Sequence, residues 1–213
     1  MPVDRPVRVP YQIPGGQRWQ WVNLYTRMSQ ERILFLNSPL TDSVANSLVS
    51  SMLYLDSDEQ KPIYLYINSL GDPVLAGMAG GQAGMMSVMA GLAIYDTMQY
   101  IKSDIVTVCL GQAVGMAAVL LAAGTPGKRA CLPHATIALV HPTSLTQGQA
   151  TDIQVAAKTV MEKQALIRQI LAKSTGQSTE KLKADMDRMF YLSPSEAQDY
   201  GLIDRVVTTL KTA

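Results

Sequence analysis

The chain has 213 residues, 47% hydrophobic and 16% charged, with a formal net charge of +1. That length fits one domain with its own core, and so neutral a balance offers no electrostatic footprint for nucleic acid. The charged fraction is below the ~25% of an average domain, so part of the surface is expected to be covered in an oligomer.

Residues 1–16 hold Pro2, Pro6, Pro10, Pro14, Gly15 and Gly16. They read as an extended N-terminal arm, here taken as 1–18, ahead of one domain over 19–213. The arm has prolines and arginines but no apolar signal core. No run of ~18 apolar residues marks a membrane span. Cys109 and Cys131 sit in apolar runs and read as buried free thiols of a reducing compartment. With His134 and His141 they show no metal-ligand spacing, and nothing indicates a cofactor.

Residues 31–36 are a strand candidate. Thr41, Asp42 and Ser43 start a helix in which Val44, Leu48, Met52 and Leu55 recur at helical spacing, and Lys61-Pro62 breaks it. Residues 63–68 read as a strand apolar on both faces. Residues 70–91 carry six glycines (71, 77, 80, 81, 84, 91) and four methionines (78, 85, 86, 89). No lysine follows in a phosphate-binding pattern, so this stretch reads as a methionine-studded surface loop. A helix is expected over 90–102.

Residues 106–124 then give a β-branched strand, a tight turn and a helix of small apolar residues. Serine hydrolases carry their nucleophile at such an elbow. Here the tip is Gly115, which has no side chain to attack with. Residues 127–129 read as a turn, and 135–141 as a strand ended by Pro142. Strands and helices alternate, which predicts an α/β fold with mainly parallel strands.

The last third is helical. Thr151 and Gln154 have capping-box spacing at the start of a helix over 151–175, stopped by Gly176. Roughly 24 residues at 1.5 Å each make ~36 Å, which suits an oligomerisation handle. A helix over 178–189, a second capping box at Ser193 and Glu196, and a strand over 202–207 complete the chain. No repeat of fixed period occurs.

In this order, the features resemble the ClpP-type serine peptidases over about residues 9–207. The matching runs are Val9-Pro10-Tyr11, residues 31–36, Ile67-Asn68-Ser69, residues 93–99, Gly127-Lys128-Arg129, residues 147–152 and Tyr200-Gly201-Leu202. The resemblance implies the ClpP/crotonase-like ββα spiral, with 151–175 as the handle helix. The family elbow reads G-x-A-x-S-M, and Gly115 holds the serine's place. The strand that ends H-Q-P in the family here ends Val140-His141-Pro142, so Val140 holds the histidine's place. His141 is one residue off and points to the opposite face. Met189 holds the aspartate's place before Tyr191-Leu192-Ser193, with Asp185 and Asp187 nearby as solvated helix residues.

The family's oxyanion run S-P-G-G has become Ser69-Leu70-Gly71-Asp72-Pro73. Asp72 brings a carboxyl group, and Pro73 lacks an N–H. An insertion over 75–88 follows. The resemblance therefore leads to the family's non-catalytic branch, ClpR. It implies a degenerate subunit that shares a double heptameric ring, a tetradecamer, with catalytic ClpP-type subunits. An Hsp100-type AAA+ chaperone such as ClpC would feed the ring. The cytosol of a cyanobacterium is the expected location, with the plastid stroma as the alternative.

Two other functions fit the residues. One is an active serine endopeptidase with a displaced site built from His141, Ser144 or Ser69; a crotonase-like acyl-CoA enzyme lacks the acidic groups it would need. The other is an adaptor that captures substrates through the methionine-rich insertion.

Overall fold

The computed structural model describes residues 7–12, 18–73, 83–142 and 148–208. The elements in chain order are β1 (Arg8–Gln12), β2 (Trp19–Asn23), α1 (Leu24–Gln30), β3 (Ile33–Leu36), α2 (Asp42–Asp58), β4 (Ile63–Ser69), α3 (Ala83–Tyr100) and β5 (Ile105–Val114). Then come α4 (Met116–Ala122), β6 (Arg129–Cys131), β7 (Thr136–Leu139), α5 (Ala150–Thr175), α6 (Thr179–Asp185), β8 (Phe190–Leu192), α7 (Pro194–Tyr200) and β9 (Arg205–Val206). The α/β expectation holds. Strands β3, β4, β5, β6 and β9 pair in parallel in that order.

β5 is the axis. Its ten residues are long enough to serve three neighbours. β4 runs along one edge. The other edge carries β6 beside Thr107–Cys109 and β7 beside Gln112–Val114. β8 joins β7 antiparallel. All seven residues of α4 are buried, against the sheet, α3 and α5. Cys109 and Cys131 face each other across β5 and β6 as free thiols. Burial pushes the Cys109 thiol up to about 12 and that of Cys131 to about 11, so neither is a nucleophile at neutral pH.

Several expectations need correction. Residues 83–91 are helix, not surface loop: α3 starts at Ala83 and buries Ser87, Val88 and Ala90. Residues 74–82 lie outside the described residues. β4 is apolar on one face only, since Tyr64 and Asn68 are exposed. The first capping box does not form: Gln149 is the N-cap of α5, with no side-chain bond, and Thr151 lies inside the helix. The second does form, at Ser193 and Glu196. α6 ends at Asp185, short of 189. Part of the arm, β1, pairs antiparallel with β2, and α1, β2, β6 and β8 were not foreseen.

Arg129 is the largest misreading. It is a strand residue, 8% exposed, and not part of a turn. Its Nη2 and Nε donate to the two Asp204 carboxylate oxygens at 2.7 and 3.0 Å. Its Nη1 donates to the carbonyls of Ser174 and Gly201 at 2.9 Å each, and to that of Ala122 at 3.3 Å. One guanidinium thus ties the ends of α4, α5 and α7 to β6. A buried pair is costly to break because it strands the remaining charge. Arg129→Met is expected to lower the unfolding free energy by about 3 kcal/mol or more, read by urea unfolding at pH 7. Burial alone would raise the Asp204 pKa, but the bonds from Arg129 outweigh it and hold the carboxyl below its ordinary value. Its stabilisation is present above the unfolded pKa and is lost as pH falls through the folded one. The gap between Asp204→Asn and the parent chain should therefore be full above about pH 4 and close below it.

Candidate functional site

At the end of β5 the chain turns through Gly115 into α4. Gly115 has φ 55° and ψ −119°, a backbone that other residues adopt only under strain. Its N–H donates to the Ala138 carbonyl at 2.9 Å, which ties the elbow to β7. A Cβ built on Gly115 would meet one neighbour among the described residues, Val140 Cγ1 at 3.4 Å. Val140 follows β7 by one residue and Met189 precedes β8 by one. Leu139 opposes Phe190 in this antiparallel pair, so both positions fall at its same end. The structure thus sets Val140 beside Gly115, with Met189 at that end of β7 and β8. None of the three can attack a carbonyl or carry a proton.

The loop after β4 forms the opposite wall. A Cβ on Gly71, whose φ is 70°, would lie 2.3 Å from the Val114 carbonyl oxygen and 3.1 Å from the Ala117 nitrogen. Only glycine fits there. The Gly71 carbonyl accepts from the Leu40 N–H at 2.7 Å, and its own N–H donates to Ser69 Oγ at 2.9 Å. Ser69 Oγ in turn donates to the Ser38 carbonyl at 2.6 Å. Ser69 is 2% exposed, and its hydroxyl is a loop tie without a base. The Asp72 N–H donates to the Leu70 carbonyl at 2.8 Å, closing a γ-turn around Gly71. An oxyanion donor must point at the developing charge, and this N–H is engaged within its own loop.

A cavity of about 50 Å³ lies between the walls, lined by Asp72, Ser87, Val88, Gly115, Val140 and His141 among others. Ser87 and Val88 reach it from the first turns of α3. Sequence reading missed them because the glycines around them looked like loop. An ionised Asp72 would repel negative charge developing in this space.

His141 lines this cavity from the strand end after β7. Its N–H donates to the Met186 carbonyl at 3.4 Å, and its ring Nδ1 is buried with no hydrogen-bond partner among the described residues. Burial and then the Arg168 cation push its pKa down, only partly opposed by Asp187. Ser144 lies outside the described residues. Asp185 is not solvated as expected, because its Oδ2 accepts from Tyr200 Oη at 2.7 Å. Asp187 is exposed after α6. Among the described residues no cluster of His, Cys, Asp or Glu could hold a metal ion, and no helix is long and apolar enough to cross a membrane.

Residues 15–210 match the Clp protease family model. The chain belongs to the Clp protease family. It is 51% identical over 210 residues to the ATP-dependent Clp protease proteolytic subunit 2 of Prochlorococcus marinus strain MIT 9312, covering 98% of this chain and 96% of that one. It is 52% identical over 209 residues to the subunit 2 of strain MIT 9313, covering 97% of each. It is 50% identical over 210 residues to the proteolytic subunit 3 of Parasynechococcus marenigrum strain WH8102, covering 98% of each. The elbow, its tie to β7 and the γ-turn are thus parts of a Clp-family subunit with cyanobacterial relatives.

Strain at either glycine costs about 1–3 kcal/mol on substitution. Gly71→Ala adds a collision with backbone that cannot move aside. Gly71→Ala should therefore lower the melting temperature clearly more than Gly115→Ala. Equal losses would mean that the loop does not press on the elbow as described.

Proposed function

We propose that this chain is a non-catalytic subunit, of the ClpR kind, in a mixed Clp protease core. The observation that carries the reading is Gly115, at the elbow where a nucleophile would stand, with Val140 against it. Met189 adds a third inert group at the same end of β7 and β8. The Asp72 N–H is turned away into the γ-turn. A single substitution could mark altered chemistry. Loss of nucleophile, base, orienting carboxylate and oxyanion donor together favours a subunit that does not cut.

Its remaining role is assembly. α5 has 26 residues, ~39 Å at 1.5 Å each. Its buried residues are Ile167, Ile170 and Leu171, all in its second half. Ile153, Val155 and Met161 are exposed at 44%, 67% and 68%. Covering each such side chain is worth up to about 1.5–3 kcal/mol, so the free half of α5 suits a contact with another subunit. In this reading the chain occupies places in a double heptameric ring beside catalytic ClpP-type subunits. An Hsp100-type chaperone such as ClpC delivers substrate, in the cytosol of a cyanobacterium or in a plastid stroma. Fewer cutting sites per chamber then slow proteolysis or lengthen its products.

The test compares peptide hydrolysis by the chain alone with that of Gly115→Ser, Val140→His and Met189→Asp combined. The parent chain should be inactive. The triple variant should stay about 10²–10³-fold below an active family member, because an oxyanion donor is worth that much. Adding Asp72→Gly should recover about tenfold or more of it. Hydrolysis by the parent chain overturns the non-catalytic reading, and a full rate from the triple variant overturns the account of Asp72.

A further inference from the structure

β3 (Ile33–Leu36) is the outer strand of the large sheet. β4 pairs one side of it, and no strand among the described residues pairs the other. The Tyr64 N–H donates to the Arg32 carbonyl at 2.8 Å, so residue 32 points its carbonyl at β4, in line with the parallel pairing of Ile33 with Tyr64. By strand alternation 34 and 36 do the same, and Ile33 and Phe35 turn their N–H and C=O groups outward. An open edge of this kind is a template for another strand.

This edge is the floor of a groove of about 570 Å³ walled by α1 and α2. The walls are polar but neutral. Ser29 stands on α1, Asn37 follows β3, and Ser43, Ser47 and Ser51 recur at four-residue spacing along α2. No lining residue is charged, and none is shared with the cavity at the elbow. Tyr25 stands edge-on to Phe35 with ring centroids 5.6 Å apart, which closes one face.

We propose that this groove takes an extended, uncharged polypeptide segment of a partner protein as an added strand on β3. Three observations select that occupant. The outward backbone groups of Ile33 and Phe35 match the alternate N–H and C=O groups of an extended chain. The neutral walls give a charged side chain no counter-charge for its lost hydration. The flanking helices keep a second copy's β3, which is equally walled, from approaching edge to edge, whereas a lone segment can enter.

The test uses the full-length chain and the acetylated, amidated pentapeptide Thr-Val-Ser-Val-Thr. Millimolar peptide should slow hydrogen exchange at the Ile33 and Phe35 amides about tenfold or more. The same peptide N-methylated at alternate amides should give no protection. Ser47→Lys changes an exposed helix position to a good helix former, so the fold should persist. It should weaken binding about tenfold by crowding and charging the groove. No protection at saturating peptide, equal protection by the N-methylated peptide, or unchanged binding to Ser47→Lys each overturns the proposal.

Discussion

The tightest glycine contact with backbone in the site is that of Gly71 with the Val114 carbonyl, where an added methyl carbon would stand 2.3 Å from the oxygen. This contact presses the loop after β4 onto the end of β5, just ahead of the elbow. The other ties in the region follow from it. Ser69 and Leu40 bond to Gly71, Gly115 bonds to Ala138, and the cavity lies between these walls. The elbow is therefore tightly framed, and in the reading proposed here the groups that such a frame would aim are replaced by Gly115, Val140 and Met189. Glycine at 115 suits this frame, because a backbone with φ 55° strains any residue with a side chain.

A second set of bonds supports the frame from outside. Arg129 reaches the carbonyls of Ala122, Ser174 and Gly201, all at or near helix C-terminal ends. A cation is favoured there by the helix dipole, and Asp204 holds it in register from the end of the chain. β6, α4, α5 and α7 are thereby fixed as one body. α5 is anchored at its C-terminal half, leaving its first half free to project. The proposed association through one end of α5 and the proposed inertness at the elbow are compatible, since they rest on separate residues.

Much of this was legible in the sequence, for identifiable reasons. The alternation of strands and helices and the αL stop at Gly176 come from local chemistry that the structure retains. The empty elbow was visible because an absent side chain is visible. What stayed hidden depended on distant partners. Arg129 looked like turn material beside Gly127, and its partner Asp204 is 75 residues away. Gly91 looked like a loop glycine. It lies within α3, where it is glycine because a Cβ would lie 2.2 Å from Met116 Cγ. Thr151 had the right spacing for a cap, yet α5 begins at Ala150. The bond from the Asp72 N–H to Leu70 cannot be read from residue types, although the proposed loss of an oxyanion donor rests on it.

The most direct test of the inert elbow is chemical. A fluorophosphonate that labels activated serines is applied to the chain assembled with a catalytic Clp subunit, and each polypeptide is weighed intact. The account predicts a stoichiometric adduct on the catalytic subunit and none on this chain. An adduct on this chain, at Ser69 or at any other serine, would contradict it.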